Sequence, residues 1–245
     1  MIRTGLALAL FALALLAPDP GFAQDLSVDL GEGSSLSGRA IQLILLITVL
    51  SLAPGLAIMV TCFPFLVTVL AILRQGIGLQ QSPPNMLIVS LALFLTYFVM
   101  EPVFANAWQS GLRPLIDEEM ALEPALRAAL EPFRAFMAGR VDAETFGAIA
   151  ALRPEGTATV PAPDASLAVL VPSFMLSEIA RAFQIGFLVF LPFLVIDLVV
   201  AAVLMSMGMM MVPPATVALP FKLAFFVIAD GWTLIASALV RSYMP

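Results

Sequence analysis

Apolar residues along this chain gather into four long blocks, each set off by a polar or proline-rich break. The first runs from Ala40 to about Leu73. The second runs from Met86 to about Met100 and continues past Glu101-Pro102 to Trp108. The third opens at Val171 and the fourth covers Leu219 to Val240. Apolar runs of about 20 residues suffice to cross a bilayer as helices, so the blocks predict membrane-type helices. The first block is longer than one simple span and is broken at Pro54-Gly55 and again at Pro64, which predicts two helical pieces or one kinked helix. Arg74, Gly76-Ile-Gly78 and Pro83-Pro84-Asn85 form the polar turn after it. The third block passes Gln184, Pro192 and Asp197 and ends in Met205-Ser-Met-Gly-Met-Met-Met-Val-Pro-Pro214. Gly208, Pro213 and Pro214 are the breakers there, because two adjacent prolines remove two backbone donors and push the preceding residue out of helix. The predicted fold class is all-α, built of kinked helical hairpins.

Between Gln109 and Arg181 the pattern changes. Leu115 to Met137 has the period of an amphipathic helix, cut into short pieces by Pro124 and Pro132. Asp142 to Leu152 predicts a second helix, starting from an aspartate cap with Glu144 close behind. Arg153 to Ser166 is rich in Pro, Ala and Thr without apolar periodicity, as a linker is. Glu101 to Arg181 holds eleven acidic and six basic residues, a net charge of −5. This stretch reads as a small helical domain outside the membrane. At the other end, Arg3, the apolar Leu6–Leu16 core and Gly21-Phe22-Ala23 have the order of a cleaved signal peptide over residues 1–23. The expected organisation is then an outer strip over 24–39, a first hairpin over 40–108, an outer domain and linker over 109–170, and a second hairpin over 171–245. Arg74 falls on the inner side in this topology, as the positive-inside bias prefers.

Composition narrows the function. Hydrophobic residues make up 61% of the 245 and charged ones 11%, which excludes an ordinary soluble domain. The net charge of −6 argues against nucleic acid, whose phosphates need clustered Lys and Arg. With no His and a single Cys, Cys62, the chain cannot close an internal disulfide. The same shortage denies it a Ser-His-Asp triad, a Cys-His nucleophile or a soft metal site. Neither catalysis nor a cofactor is expected.

Charges inside the apolar blocks are the candidate functional residues. Asp197, Lys222 and Asp230 would each cost roughly 2.5–3.5 kcal/mol at a bilayer centre, so each calls for a partner or a wet cavity. Lys222 is expected to pair with Asp197 or Asp230, within or between subunits; the alternative is a position near a segment end that reaches water. An intramembrane aspartyl protease would also use two Asp, but Lys222 and the lack of supporting Gly-Asp motifs count against it. Glu178 and Arg181 stand three apart on one helical face and can form a local pair. Five of the thirteen methionines lie between positions 205 and 211. Methionine is unbranched and polarizable, so such a cluster can act as core filler or as a soft surface that closes around different shapes.

From Gly186 to Ala236 the chain reads GFLVFLPFLVIDLVVAAVLMSMGMMMVPPATVALPFKLAFFVIADGWTLIA. This run closely resembles the FliP family of flagellar type III export gates. VPSFMLSEIARAFQIGF upstream and LRQGIGLQQSPPNMLIVSLALFLTYFVMEPV earlier resemble the same family. The resemblance implies a non-enzymatic pore subunit of the bacterial inner membrane and flagellar basal body, with a periplasmic domain. It implies a homopentamer assembled with FliQ and FliR. Unfolded flagellar subunits would be passed through it by the export ATPase and the proton motive force, acting through FlhA and FlhB. It maps the family's methionine gasket onto Met207, Met209, Met210 and Met211. One departure stands out: Cys62-Phe63-Pro64-Phe65 replaces the family's usual Ser-Phe-Thr-Arg, so Phe65 stands where an Arg is expected. The rival reading from the residues alone is a small-solute channel or secondary transporter, which also uses broken helices and intramembrane charges.

Overall fold

The computed structural model describes residues 36–78, 83–153 and 161–244, and all the regular structure among them is helical. The signal peptide expected over 1–23 and most of the strip over 24–39 lie outside the described residues. The chain divides into two units, residues 1–51 and 52–245. Of the first, the described part is the start of helix α1, Leu36–Met59.

Pro54 lies inside α1, so the helix does not break at Pro54-Gly55. It stops at Val60–Cys62 instead, where the Thr61 hydroxyl donates to the Ile58 carbonyl at 3.1 Å. Helix α2 (Phe63–Ile77) then begins with Pro64 in its first turn, a place where the missing N–H is not needed. The first apolar block is therefore two helical pieces, with Pro64 marking a start rather than an interior kink.

Helix α2 is the centre of the second unit. Its stripe of Phe65, Leu66, Val69, Leu70, Leu73 and Ile77 recurs every three or four residues and is buried throughout. It packs against α3 (Asn85–Ala107) on one side and against the long α7 (Leu167–Ser206) on another. The approach of α2 and α7 is close because Gly186 carries no side chain: a Cβ there would stand 2.4 Å from Ile72 Cδ1. Two aromatic rings of α7, Phe190 and Phe193, lie over Gly76 in the same way.

Helix α3 carries Pro102 and passes without a stop through a π-helical turn, Trp108–Leu112, into the short α4 (Arg113–Ile116). The π turn packs against α5 (Leu122–Ala138), and Ser110 Oγ donates there to the carbonyl of Ala128 at 3.1 Å. Pro124 and Pro132 do not divide α5: the first sits in its opening turn, and the second is carried inside a helix held by packing against α3. Helix α6 (Ala143–Ala150) starts from Asp142, whose Oδ2 accepts the Thr145 N–H at 2.9 Å.

Met137, Phe146, Ala150, Val169, Leu170 and Phe174 form a small second core beneath α5 and α6. The last three belong to α7, so that helix begins packed against α5 and α6. The whole helix is 40 residues long and runs through Pro172 and Pro192. The boundary expected at 170/171 thus falls within one continuous helix. A tight turn at the methionine cluster leads to α8 (Pro214–Ile228), and a 60° bend separates α8 from α9 (Gly231–Arg241). Among the described residues, three helices or helical runs, Ala40–Met59, Asn85–Ile116 and Leu167–Ser206, are long and apolar enough to cross a membrane; the bent α8–α9 pair makes a fourth candidate.

Candidate functional site

The methionine loop has a fixed backbone. Helix α7 ends in a paired cap: the Met209 N–H reaches back to the Leu204 carbonyl at 3.0 Å, and the Gly208 N–H to Met205 at 3.1 Å. That cap needs a left-handed residue, and Gly208 supplies it at φ +77°. Pro213 and Pro214 close the other side, one as the cap of α8 and the other as its first residue. The rigid turn holds out four soft side chains: Met207 is 67% exposed, Met209 41%, Met210 84% and Met211 98%. They are therefore not filler within this subunit's own core. Beside them, between α7 and α8, lies an apolar groove of about 600 Å³ whose walls include Val199, Val203, Met207, Met209 and Phe221.

Lys222 on α8 is 6% exposed. Its Nζ donates to Asp197 Oδ2 on α7 at 2.6 Å and to the Gly76 carbonyl of α2 at 3.1 Å. One ammonium thereby ties together three helices, at a place where α2 is ending and its last carbonyls have no helical partner. Asp230 takes no part in this pairing. It caps α9 in the left-handed conformation, at φ +46°, and its carboxylate is exposed.

Glu178 on α7 is fully buried. Arg181, one turn further along, donates to its Oε1 at 3.1 Å, and so does Arg140, from the corner between α5 and α6, also at 3.1 Å. The Tyr243 hydroxyl donates to its other oxygen. Arg140 lies over the Tyr243 ring at 4.0 Å and donates to the Ser242 carbonyl at 2.9 Å. Phe65 of α2 meets the Tyr243 ring edge-on with centroids 5.5 Å apart, and Phe136 of α5 stacks on it at 6.1 Å. Burial, and then the Glu178 charge, push the Tyr243 phenol well above its usual range, which keeps it a neutral donor. Phe65, the residue that departs from the expected Arg, thus serves as an apolar wall for this cluster.

A family profile for the FliP family matches residues 46–239. Flagellar biosynthetic protein FliP of Caulobacter vibrioides is 50% identical over 241 residues, spanning 96% of this chain and 88% of that protein. Those of Rhizobium meliloti and Bacillus subtilis are 47% and 45% identical, over 97% and 83% of this chain and 97% and 91% of their own lengths. The chain belongs to the FliP family. Membership makes it a component of flagellar biosynthesis and export and not an enzyme, and its long apolar helices fit a membrane protein.

Arg140 and Tyr243 are the residues that reading the sequence missed in this FliP-family chain. They stand 38 and 65 positions from Glu178, so no local period joins them. The sequence signal is a Glu within an apolar run with a single Arg three residues on, since a carboxylate buried there calls for more than one donor.

Proposed function

We propose that this chain is a pore-forming subunit of the flagellar type III export gate, and that its methionine loop lines the constriction through which unfolded flagellar subunits pass. The observation that carries the reading is the contrast within that loop. The backbone is locked by a glycine-dependent cap and a proline pair, while four flexible thioether side chains project from it into the open. Several such loops around an axis make a ring that closes by contact between soft apolar groups, repacks around a passing segment and needs no charge. Copies of the chain form a homopentamer with FliQ and FliR and work with FlhA and FlhB. Residues 109–170 form the periplasmic domain of this inner-membrane complex, in the flagellar basal body.

The deciding experiment replaces Met207, Met209, Met210 and Met211 together by Ala. Conductance of cells to small ions is then measured beside recovery of the intact complex. A leak with the complex preserved is the expected result. A tight, fully assembled variant would move the seal elsewhere. Loss of the complex before any leak would make the methionines packing groups between subunits.

A further inference from the structure

The α8–α9 pair runs beside α7 and is fixed to it at both ends. Lys222 on α8 meets Asp197, and Tyr243, just beyond α9, meets Glu178. The rise along α7 from Glu178 to Asp197 is about 28 Å, whereas one straight helix from Lys222 to Tyr243 would rise about 32 Å. Bent by its 60°, the same segment reaches about 28 Å and closes on both fixings.

The bend is held against the local preference of the chain. Asp230 forms it in the left-handed region, at φ +46°, where a residue with a Cβ is disfavoured. Its carboxylate makes no capping bond, which leaves the first N–H groups of α9 without the acceptor a side-chain cap gives. In one continuous helix the N–H groups of Gly231, Trp232 and Thr233 would bond the carbonyls of Val227, Ile228 and Ala229, and Asp230 would be right-handed. What keeps the bend is tertiary. Phe226 fills its inside, with Cε2 at 2.1 Å from where a Gly231 Cβ would stand, and meets Trp232 edge-on at 5.4 Å. Along α9 itself only Gly231 and Leu239 are buried. The rest of the hold is at the far end. There Arg140 donates to the Ser242 carbonyl at 2.9 Å and lies over the Tyr243 ring, whose hydroxyl donates to Glu178.

We propose that α9 is a latched arm, with Arg140 and Tyr243 as its catch and Asp230 as its hinge, and that release of the catch lets α8 and α9 straighten into one helix. Straightening swings the far end of α9 by about 16 Å. The catch sits on the α5–α6 corner, so the state of that corner is passed to α8, which starts at Pro214 directly after the methionine loop. The two-state element is the Asp230 backbone, and whatever moves Arg140 biases it. The arm works in this way whether or not the methionine loop lines a pore.

The test follows the distance between nitroxide labels on Phe183→Cys and Arg241→Cys, both at exposed positions, by electron–electron double resonance. The full chain is labelled, with Cys62 left in its buried place, and diluted with unlabelled chain in membranes so that labelled copies do not meet. One short distance is expected with the catch intact. Arg140→Gln or Tyr243→Phe should add a second, longer by on the order of 10 Å. Asp230→Ala favours helix at the hinge and should raise the longer population several-fold. Asp230→Gly, at ease in the left-handed region, should lower it. Should the catch variants fail to fold, Asp230→Ala with the catch intact must still show the longer distance that Asp230→Gly lacks. A single unchanged distance in Asp230→Ala combined with Tyr243→Phe would overturn the proposal. So would equal effects of Ala and Gly at the hinge, or a broad spread of distances, which is fraying and not a switch.

Discussion

Arg140 Nε and Glu178 Oε1 lie 3.1 Å apart, joining the corner between α5 and α6 to the long helix α7. The two residues belong to different parts of the predicted organisation, and Tyr243 from the chain's end closes over the same carboxylate. The α5–α6 corner, the central helix pair and the last turn are therefore fastened at one buried point. Glu178→Gln would leave Arg140 facing a neutral group with its own side chain only 17% exposed. Breaking such a pair is expected to cost about 3–5 kcal/mol. Tyr243→Phe removes one hydrogen bond to a charged group and should cost roughly 1.5–3 kcal/mol, while Arg181→Gln, at a more exposed guanidinium, should cost less than either. Denaturant unfolding of the purified chain in detergent measures the order; equal losses for all three would mean that the cluster is not organised around Glu178.

The Lys222–Asp197 pair is asymmetric, because the ammonium is 7% exposed and the carboxylate 34%. Removing the carboxylate strands the more buried charge. Asp197→Ala is therefore expected to be the more damaging change, by about 3–5 kcal/mol, with Lys222→Met nearer the lower end because Asp197 can still meet water. Protease resistance of each variant in membranes reads the difference. Wild-type levels of complex from Lys222→Met would show that the pair is dispensable for assembly.

Gly186 tests the approach of α7 to α2. Gly186→Ala would place a methyl group 2.4 Å from Ile72 Cδ1 and 3.2 Å from Ile72 Cγ2, an overpacking expected to cost about 1–3 kcal/mol. Ile72→Val removes the Cδ1 atom, so the double variant should recover part of that loss. Independent, additive costs in an unfolding series would mean that the backbone shifts instead of the side chain.

Acid should loosen α6. Thr145 holds the Asp142 carboxyl below its ordinary value, first through its backbone N–H and then through its hydroxyl. A depressed folded-state value means that this cap stabilises above the unfolded carboxyl's pKa and is lost as pH falls through the folded one. Amide exchange at Thr145 should therefore quicken below about pH 4 in the native chain, near the carboxyl's unperturbed range. In Asp142→Asn that acid step should vanish. Persistence of the step would assign it to another carboxylate.

Local chemistry is what the sequence settles by itself. The helical class follows from apolar blocks of bilayer length, and the stop at the methionine cluster follows from Gly208 and the Pro213-Pro214 pair. The Asp142 cap follows from residue types at neighbouring positions, and so does the one-turn spacing of Glu178 and Arg181. Each depends on a period or a steric limit that acts within a few residues. Tertiary packing decides the rest. Pro54 and Pro132 both look like breaks, yet the helices run through them, because a lost hydrogen bond is small beside the other bonds and contacts of a long helix. The choice of Asp197 over Asp230 by Lys222 depends on where α7 crosses α2, as does the arrival of Gly76 with its free carbonyl from 146 positions away. Tyr243 reaches Glu178 for the same reason. Contacts between residues so far apart are set by how whole helices stack, and no pattern within a helix encodes them.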